Sequence, residues 1–326
     1  MGTMNVINIK KISGVLSRYA ILVFLAIIIV FTVCVEKAFF SPENIMNVLR
    51  QVSMGGIMAL GMSFVLISGA VDLSVGAVMT LASCVLALNV TAIGEGPAII
   101  LTLLLATLLG TINGVLLTLI KGDMGTSFII TFGTKTFIYS LALIITGGFI
   151  INVSDMPTLS YFGKGMIGSV PFPVVLLGIT AIACGFLLSK TPFGRKTYFV
   201  GSNMEAARLS GVNVRLQKTA VFALNGLCAG VAAIILVSRV GSAVHTMGTS
   251  YDFDVITMAV VGGVMLGGGK GSILEAFLGI IAIGIFTNAM NLLNVPVNPQ
   301  IILKGILILF AVWVSTYSRR NIVEGK

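Results

Sequence analysis

From Tyr19 to Tyr317 the chain repeats one pattern, apolar runs of about 20 residues separated by short polar breaks. A run of that length and composition suits a helix crossing a bilayer. In hydrocarbon only a helix or a closed barrel satisfies its own backbone hydrogen bonds, and nothing here alternates with the period of a barrel strand. About ten candidate spans can be placed, near 19–38, 50–69, 74–93, 97–120, 126–147, 172–189, 217–238, 252–267, 272–292 and 299–317. The third and eighth are short or broken by glycine. Composition agrees: 57% of residues are hydrophobic and 10% charged, against about 25% charged in a soluble domain. Mean hydropathy is +1.08. The expected fold is all-α and polytopic, one transmembrane domain over residues 1–326 with broken or re-entrant segments.

The basic residues give an orientation. With the N-terminus inside, cytoplasmic segments hold Lys10, Lys11, Arg18, Lys121, Lys190, Arg195, Lys196, Arg208, Arg215, Lys218, Lys270, Arg319, Arg320 and Lys326, fourteen of the 20 Lys and Arg. Ten spans then leave both termini inside. Lys37, Arg50, Lys164 and Arg239 fall outside, while Lys135 and Lys304 fall within spans. The same rule explains the formal charge of +9 without nucleic acid as a partner. Lys10, Lys11 and Arg18 precede the first apolar run as in a signal sequence, but no small-residue cleavage site follows, so a retained first span is expected. Cys34, Cys84, Cys184 and Cys228 lie in apolar runs without metal-ligand spacing and read as small core residues.

The longest stretch that cannot sit in lipid runs from Lys190 to Lys218. Ser202 and Glu205 have the spacing of a capping box, Ala206, Ala207, Arg208 and Leu209 are good helix formers, and Gly211 supplies a left-handed stop. A helix of about two turns needs something to pack on, which marks this one as a docking element. A second break, Ser68 to Gly76, puts Asp72 at bilayer depth between glycines. Asp72 with Ser74 either caps the next helix at the cytoplasmic surface or forms a hinge or gate beside a pathway. Asn113, Thr131, Thr134, Lys135, Asn225, Thr257, Asn288 and Asn291 are polar residues within spans, able to join helices or to bind hydroxyl groups in a cavity. Sparse charge favours a neutral polyhydroxy cargo over an ionic one.

Gly110-x-x-x-Gly114, Gly226-x-x-x-Gly230 and Gly263-x-x-x-Gly267 place small residues on one helix face for close packing inside the bundle. Asp252 and Asp254 stand where an external loop enters the eighth span; one is expected to cap it and the other to pair with Arg239. The external loop from Gly148 to Pro171 offers Tyr161-Phe162 and Met166-Ile167 to the membrane face or a partner. Gly267-Gly268-Gly269-Lys270-Gly271-Ser272 fails as a phosphate loop, because Val264 and Gly271 stand where Gly and Ser or Thr are required. His245 is the only histidine, and no hydrolase grouping occurs. The chain is expected to be no enzyme and to hold no cofactor or metal.

The ordered set of motifs resembles the ribose/xylose/arabinose/allose-type permeases of bacterial ABC sugar importers. It comprises Gly61 to Val65, Asp72 to Gly76, Asn113-Gly114, Phe128 to Gly133, Gly147-Gly148, Gly194-Arg195, Val200 to Val212, Tyr251 to Asp254, Val261 to Gly263, Gly268 to Gly271, and Asn288 to Leu293. Glu205-Ala206-Ala207 with Gly211 matches the first half of the pattern by which such permeases contact their ATPase; the second half is absent, and Ser127 stands where relatives often have proline. The resemblance implies an ABC importer permease fold in the bacterial inner membrane and ATP-driven import of a monosaccharide, D-allose or ribose in type. Implied partners are a second permease copy, a periplasmic sugar-binding protein and an ATP-binding subunit that holds the ATP and magnesium. Residues 190–218 become the coupling loop, with Ser202, Glu205, Ala206, Ala207, Arg208, Leu209 and Gly211 contacting the ATPase. The alternative reading is an ion-coupled secondary sugar transporter using the broken helix at Asp72.

Overall fold

A computed structural model describes residues 37–153 and 156–309, together with Val30 and Thr32. Most of the expected first span, the end of the tenth, Cys34 and the basic residues at both termini lie outside the described residues.

After a short 3-10 turn at Lys37–Phe40, α1 spans Pro42–Ile67, α2 Val75–Ile93, α3 Glu95–Leu119 and α4 Met124–Thr146. A short helix α5 (Pro157–Lys164) leads to α6 (Phe172–Lys190), α7 (Pro192–Ser202) and α8 (Met204–Leu209). Then come α9 (Val214–Val240), α10 (Tyr251–Gly262) and α11 (Ile273–Leu292), followed by α12 (Val297–Leu309). Four two-residue strands add two small antiparallel ribbons: β1 (Ile151–Asn152) pairs with β4 (Ser242–Ala243), and β2 (Met166–Ile167) with β3 (Val170–Pro171).

Among the described residues seven helices are long and apolar enough to cross a membrane: α1, α2, α3, α4, α6, α9 and α11. Of the ten expected spans, most of the first and the end of the tenth fall outside the described residues; two of the others differ for physical reasons. The span placed at 50–69 begins at Pro42, because the Ser41 hydroxyl accepts the Asn44 N–H and proline occupies the first turn, so Arg50 sits inside α1. The span placed at 252–267 stops at Gly262. Beyond it Gly263, Gly268, Gly269 and Gly271 all take positive φ and turn the chain back. Gly263 and Gly267 therefore lie in a turn, not on a helix face.

The other two glycine pairs do what their spacing predicts. A Cβ on Gly110 would strike the Phe222 carbonyl, and one on Gly226 would strike the Ala106 carbonyl, so α3 and α9 interlock at backbone contact. The most buried helix is α1, with every residue from Val52 to Ile67 shielded from solvent. Around it α2, α9, α10 and α11 complete one apolar core. In contrast, α3, α4 and α6 leave apolar faces outward, with Ile129, Phe137, Ile144, Ile182 and Phe186 exposed. Those faces match hydrocarbon. At one end, here the basic end, lie the 68–74 break, the α3–α4 turn, residues 190–214 and the 263–272 turn. The opposite end carries the strands and α5. There Leu159 donates its N–H to the Glu95 carboxylate, and the Ser238 hydroxyl accepts the Gly163 N–H and donates to the Leu159 carbonyl.

Candidate translocation and coupling site

Helix α1 ends at the basic end with Gly69 in the left-handed region (φ 74°). From there residues 70–73 run back into the bundle. Asn225 packs against Gly61, six residues before the α1 terminus, which puts the returning segment about 9 Å deep. An irregular segment in a bundle needs donors and acceptors from its neighbours. Ser127 and Thr131 of α4 supply them, their hydroxyls accepting the N–H groups of Val71 and Leu73 at 3.0 Å each.

Asp72 lies between those anchors and is 2% exposed. Its Oδ1 accepts the Ser74 N–H at 2.9 Å and the Ser74 hydroxyl at 2.6 Å; its Oδ2 accepts the Asn225 side-chain amide at 2.9 Å. Asn113 in turn donates to the Ser74 oxygen at 2.6 Å. Thus Asp72, Ser74, Asn113 and Asn225 form one buried chain of hydrogen bonds joining the break to α3 and α9, with Thr131 one residue away. This corrects the plain-cap alternative. Ser74 stands at the N-cap position of α2 but makes no side-chain capping bond: its backbone is right-handed helical (φ −88°, ψ −9°), and its hydroxyl donates to Asp72 and accepts from Asn113. Among the described residues no ion pair reaches Asp72, so its charge rests on hydrogen bonds alone.

Toward the opposite end the ionic groups pair across helices. Lys135 of α4 reaches Asp252 at 2.6 Å, and Lys304 of α12 reaches Asp254 at 2.9 Å. The expected partner Arg239 holds neither. The second carboxylate oxygen of Asp252, the Tyr139 hydroxyl and the Asn225 carbonyl oxygen are buried without a hydrogen-bond partner among the described residues. Asn288 and Asn291 stand apart from the Asp72 chain. Asn288 exchanges amide hydrogen bonds with Asn44 at 2.8 and 3.0 Å, and Asn291 accepts from Gln300 at 3.0 Å.

The polar stretch folds as two helices where one was expected. Thr191 caps α7, whose first residue is Pro192, and the helix runs on through Ser202. Ser202 is thereby the last residue of α7, and the capping box with Glu205 does not form. Asn203 caps α8 instead, its side-chain oxygen accepting the Ala206 N–H at 2.9 Å. The C-terminal expectation holds. Gly211 (φ 82°) donates its N–H to the Arg208 carbonyl, and Val212 donates to the Ala207 carbonyl, each at 3.0 Å. Glu205 binds Arg208 at 2.6 Å on the exposed side, Ala207 faces the bundle, and Leu209 is 79% exposed.

What seats α8 is the end of α7. A Cβ on Gly201 would collide with the Ile67 carbonyl and the Gly269 N–H, two backbones already joined by a hydrogen bond of 2.8 Å. Tyr198 donates its hydroxyl to the Gly271 carbonyl at 2.6 Å, and Gln217 ties α9 to α7 through Phe193 and Thr197. The 190–218 stretch therefore touches both chain breaks, 68–74 and 263–272, at one point. Tyr198 and Asn44 were not singled out from sequence, whereas Gly201 lay within the Val200–Val212 motif and Ser127 stood out as a departure before Phe128.

No grouping that could hold a metal occurs among the described residues. The family described as branched-chain amino acid transport system, permease component, matches residues 44–312. The ribose import permease protein RbsC of Bacillus subtilis (strain 168) is 39% identical over 92% of this chain and 92% of its own. The corresponding Haemophilus influenzae protein is 37% identical over 90% and 92%. The xylose transport system permease protein XylH of Escherichia coli (strain K12) is 32% identical over 91% of each chain. No solved structure matches the chain. Matched over most of its length by that family and by these permeases, the chain belongs to the branched-chain amino acid transport system permease-component family, on its ribose- and xylose-type branch of ABC sugar permeases.

Proposed function

We propose that this chain forms the membrane pathway of an ATP-driven importer for a monosaccharide, ribose before xylose or D-allose. It lies in a bacterial inner membrane with the basic end toward the cytoplasm. A separate ATP-binding subunit, holding the ATP and magnesium, docks on α8. A periplasmic sugar-binding protein delivers cargo at the opposite end, and a second copy of the chain completes the pathway. In this reading both termini are cytoplasmic.

The observation that carries the proposal is the contact of Gly201 with both Ile67 and Gly269. A capped, rigid α8 moved by a motor displaces α7, and α7 bears on both breaks at once. The first break holds Asp72, bonded to α3 and α9, so displacement there changes the relations among three helices. Nucleotide states of the motor then shift the bundle by their different affinities for its two conformations.

The test is uptake of radiolabelled ribose into proteoliposomes holding the chain with its ATP-binding and sugar-binding partners. Uptake that requires both partners and ATP supports the proposal. Uptake by the chain alone on a proton or sodium gradient, with Asp72 as the coupling group, would replace it with the secondary-transport reading. Competition by xylose and D-allose sets the order of preference.

A further inference from the structure

Where the α3–α4 turn meets α8 and the first turn of α9 lies a cavity of about 280 Å³, lined by Lys121, Gly122, Glu205, Arg208, Arg215 and Lys218 among others. Four cations surround it. Of the two nearby carboxylates, Glu205 is bound to Arg208, and Asp123 is occupied in capping α4 through the Thr126 N–H and hydroxyl. Lys218 is 3% exposed, yet its ammonium makes one long hydrogen bond, to the Gly122 carbonyl at 3.5 Å; Asp123 acts on it through space, and no ion pair within contact distance holds it among the described residues. A buried ammonium so poorly satisfied is costly unless an anion joins it. The cavity also borders the N-terminus of α9, which has no acidic residue in its first turn and so presents the positive end of its dipole. Lys121 holds a left-handed backbone (φ 53°), a strained conformation for lysine. Beside the cavity, Leu119, Ile120 and Leu216 are exposed apolar residues.

We propose that this cavity binds a phosphate group. An anionic membrane lipid supplies it, its chains lying on Leu119, Ile120 and Leu216, with a free phosphate ester as the competing source. One phosphate between Arg208 of α8 on one side and Lys121 of the α3–α4 turn with Arg215 and Lys218 of α9 on the other fastens the coupling helix to the helices behind it. The site is a property of the chain alone, so its test does not depend on transport.

The full chain in neutral detergent is titrated with glycerol 3-phosphate, with glycerol and matched potassium chloride as controls, and its unfolding temperature is followed. The same protein in nanodiscs of phosphatidylcholine, with or without phosphatidylglycerol, is analysed by native mass spectrometry for retained lipid. Stabilisation by glycerol 3-phosphate alone, with binding weakened on the order of tenfold in Lys121→Gln and Lys218→Met, supports the site. Lys121 is exposed, so its variant folds even where Lys218→Met does not. Retained phosphatidylglycerol that blocks the soluble probe identifies the lipid as the source; an unblocked probe identifies the free ester. Neither ligand binding, or equal binding by wild type and Lys121→Gln, overturns the proposal. So do variants whose only defect is weaker docking of the ATP-binding subunit, which would make the cations part of that interface.

Discussion

Exchanging Asp72 and Asn225 tests whether the buried chain of hydrogen bonds acts as a unit. Asp72→Asn keeps the shape but turns an amide N–H₂ toward Asn225, whose own amide must turn over to offer its unpartnered oxygen, so the contact now at 2.9 Å loses its charged acceptor. Asn225→Asp sets two carboxylates against each other, one of which must take a proton. The double variant Asp72→Asn/Asn225→Asp restores one carboxylate and one amide across the same gap, with Ser74 still able to donate to the side chain at position 72. Hydrogen bonds between helices in bilayers average about 0.6 kcal/mol, whereas a bond to a charged group contributes about 1.5–3 kcal/mol. Asp72 is fully buried with no cation to share its charge, so the larger figure governs, and a coupling energy near 1.5 kcal/mol or above is expected, roughly a tenfold effect. The assay is ATP-driven uptake in proteoliposomes, read beside the unfolding temperature in detergent. Each single variant should lose at least about tenfold in uptake, and the double variant should recover most of that loss. A double variant no better than the sum of its parts would refute the reasoning.

Gly201→Ala places a Cβ on two backbone groups and should cost about 1–3 kcal/mol, with ATP hydrolysis surviving in the assembled importer while uptake falls. Gly211→Ala is the control, since open space surrounds it and only its φ of 82° opposes the change, about 1–2 kcal/mol. Lys135→Met strands the buried Asp252 carboxylate and should destabilise the protein by about 3–5 kcal/mol; adding Asp252→Leu should restore thermal stability without restoring uptake. Tyr198→Phe loses the bond to Gly271, about 0.5–1.5 kcal/mol. Burial, with the Glu275 charge behind it, raises the Tyr198 pKa above its ordinary value. Its stabilising contribution is therefore complete below about pH 10 and is lost as pH rises through the folded value. Unfolding midpoints of wild type and Tyr198→Phe should converge above about pH 10, and a constant gap would contradict the assignment.

Much of this was legible where the signal is local. Glycines around Asp72 announced a break, the spacing at Gly110 and Gly226 announced close helix contact, and Gly211 announced a helix end. What escaped depends on distance along the chain. Asp72 meets Asn225, 153 positions away, and Asp252 meets Lys135, 117 positions away, whereas the sequence offered Arg239 as a nearer cation. Ser202 was misplaced as a cap because Thr191 and Pro192 start a helix that absorbs it, leaving the job to the next residue, Asn203. Asn288 and Asn291 lie apart from the Asp72 chain, each bonded to a side-chain amide, that of Asn44 or Gln300, to which the sequence did not point.

The burial of α1 bears on how the protein is made. It is the least apolar of the seven long helices and the most enclosed, with Ser53, Ser63 and a run of small residues that suit protein neighbours better than lipid. Its main neighbours, α9, α6 and α11, lie well over a hundred positions downstream. During synthesis α1 would emerge early and stay poorly solvated until they arrive. Biogenesis of this permease should therefore depend on an insertion factor that shelters α1, and truncations ending before α9 should be degraded rather than retained in the membrane.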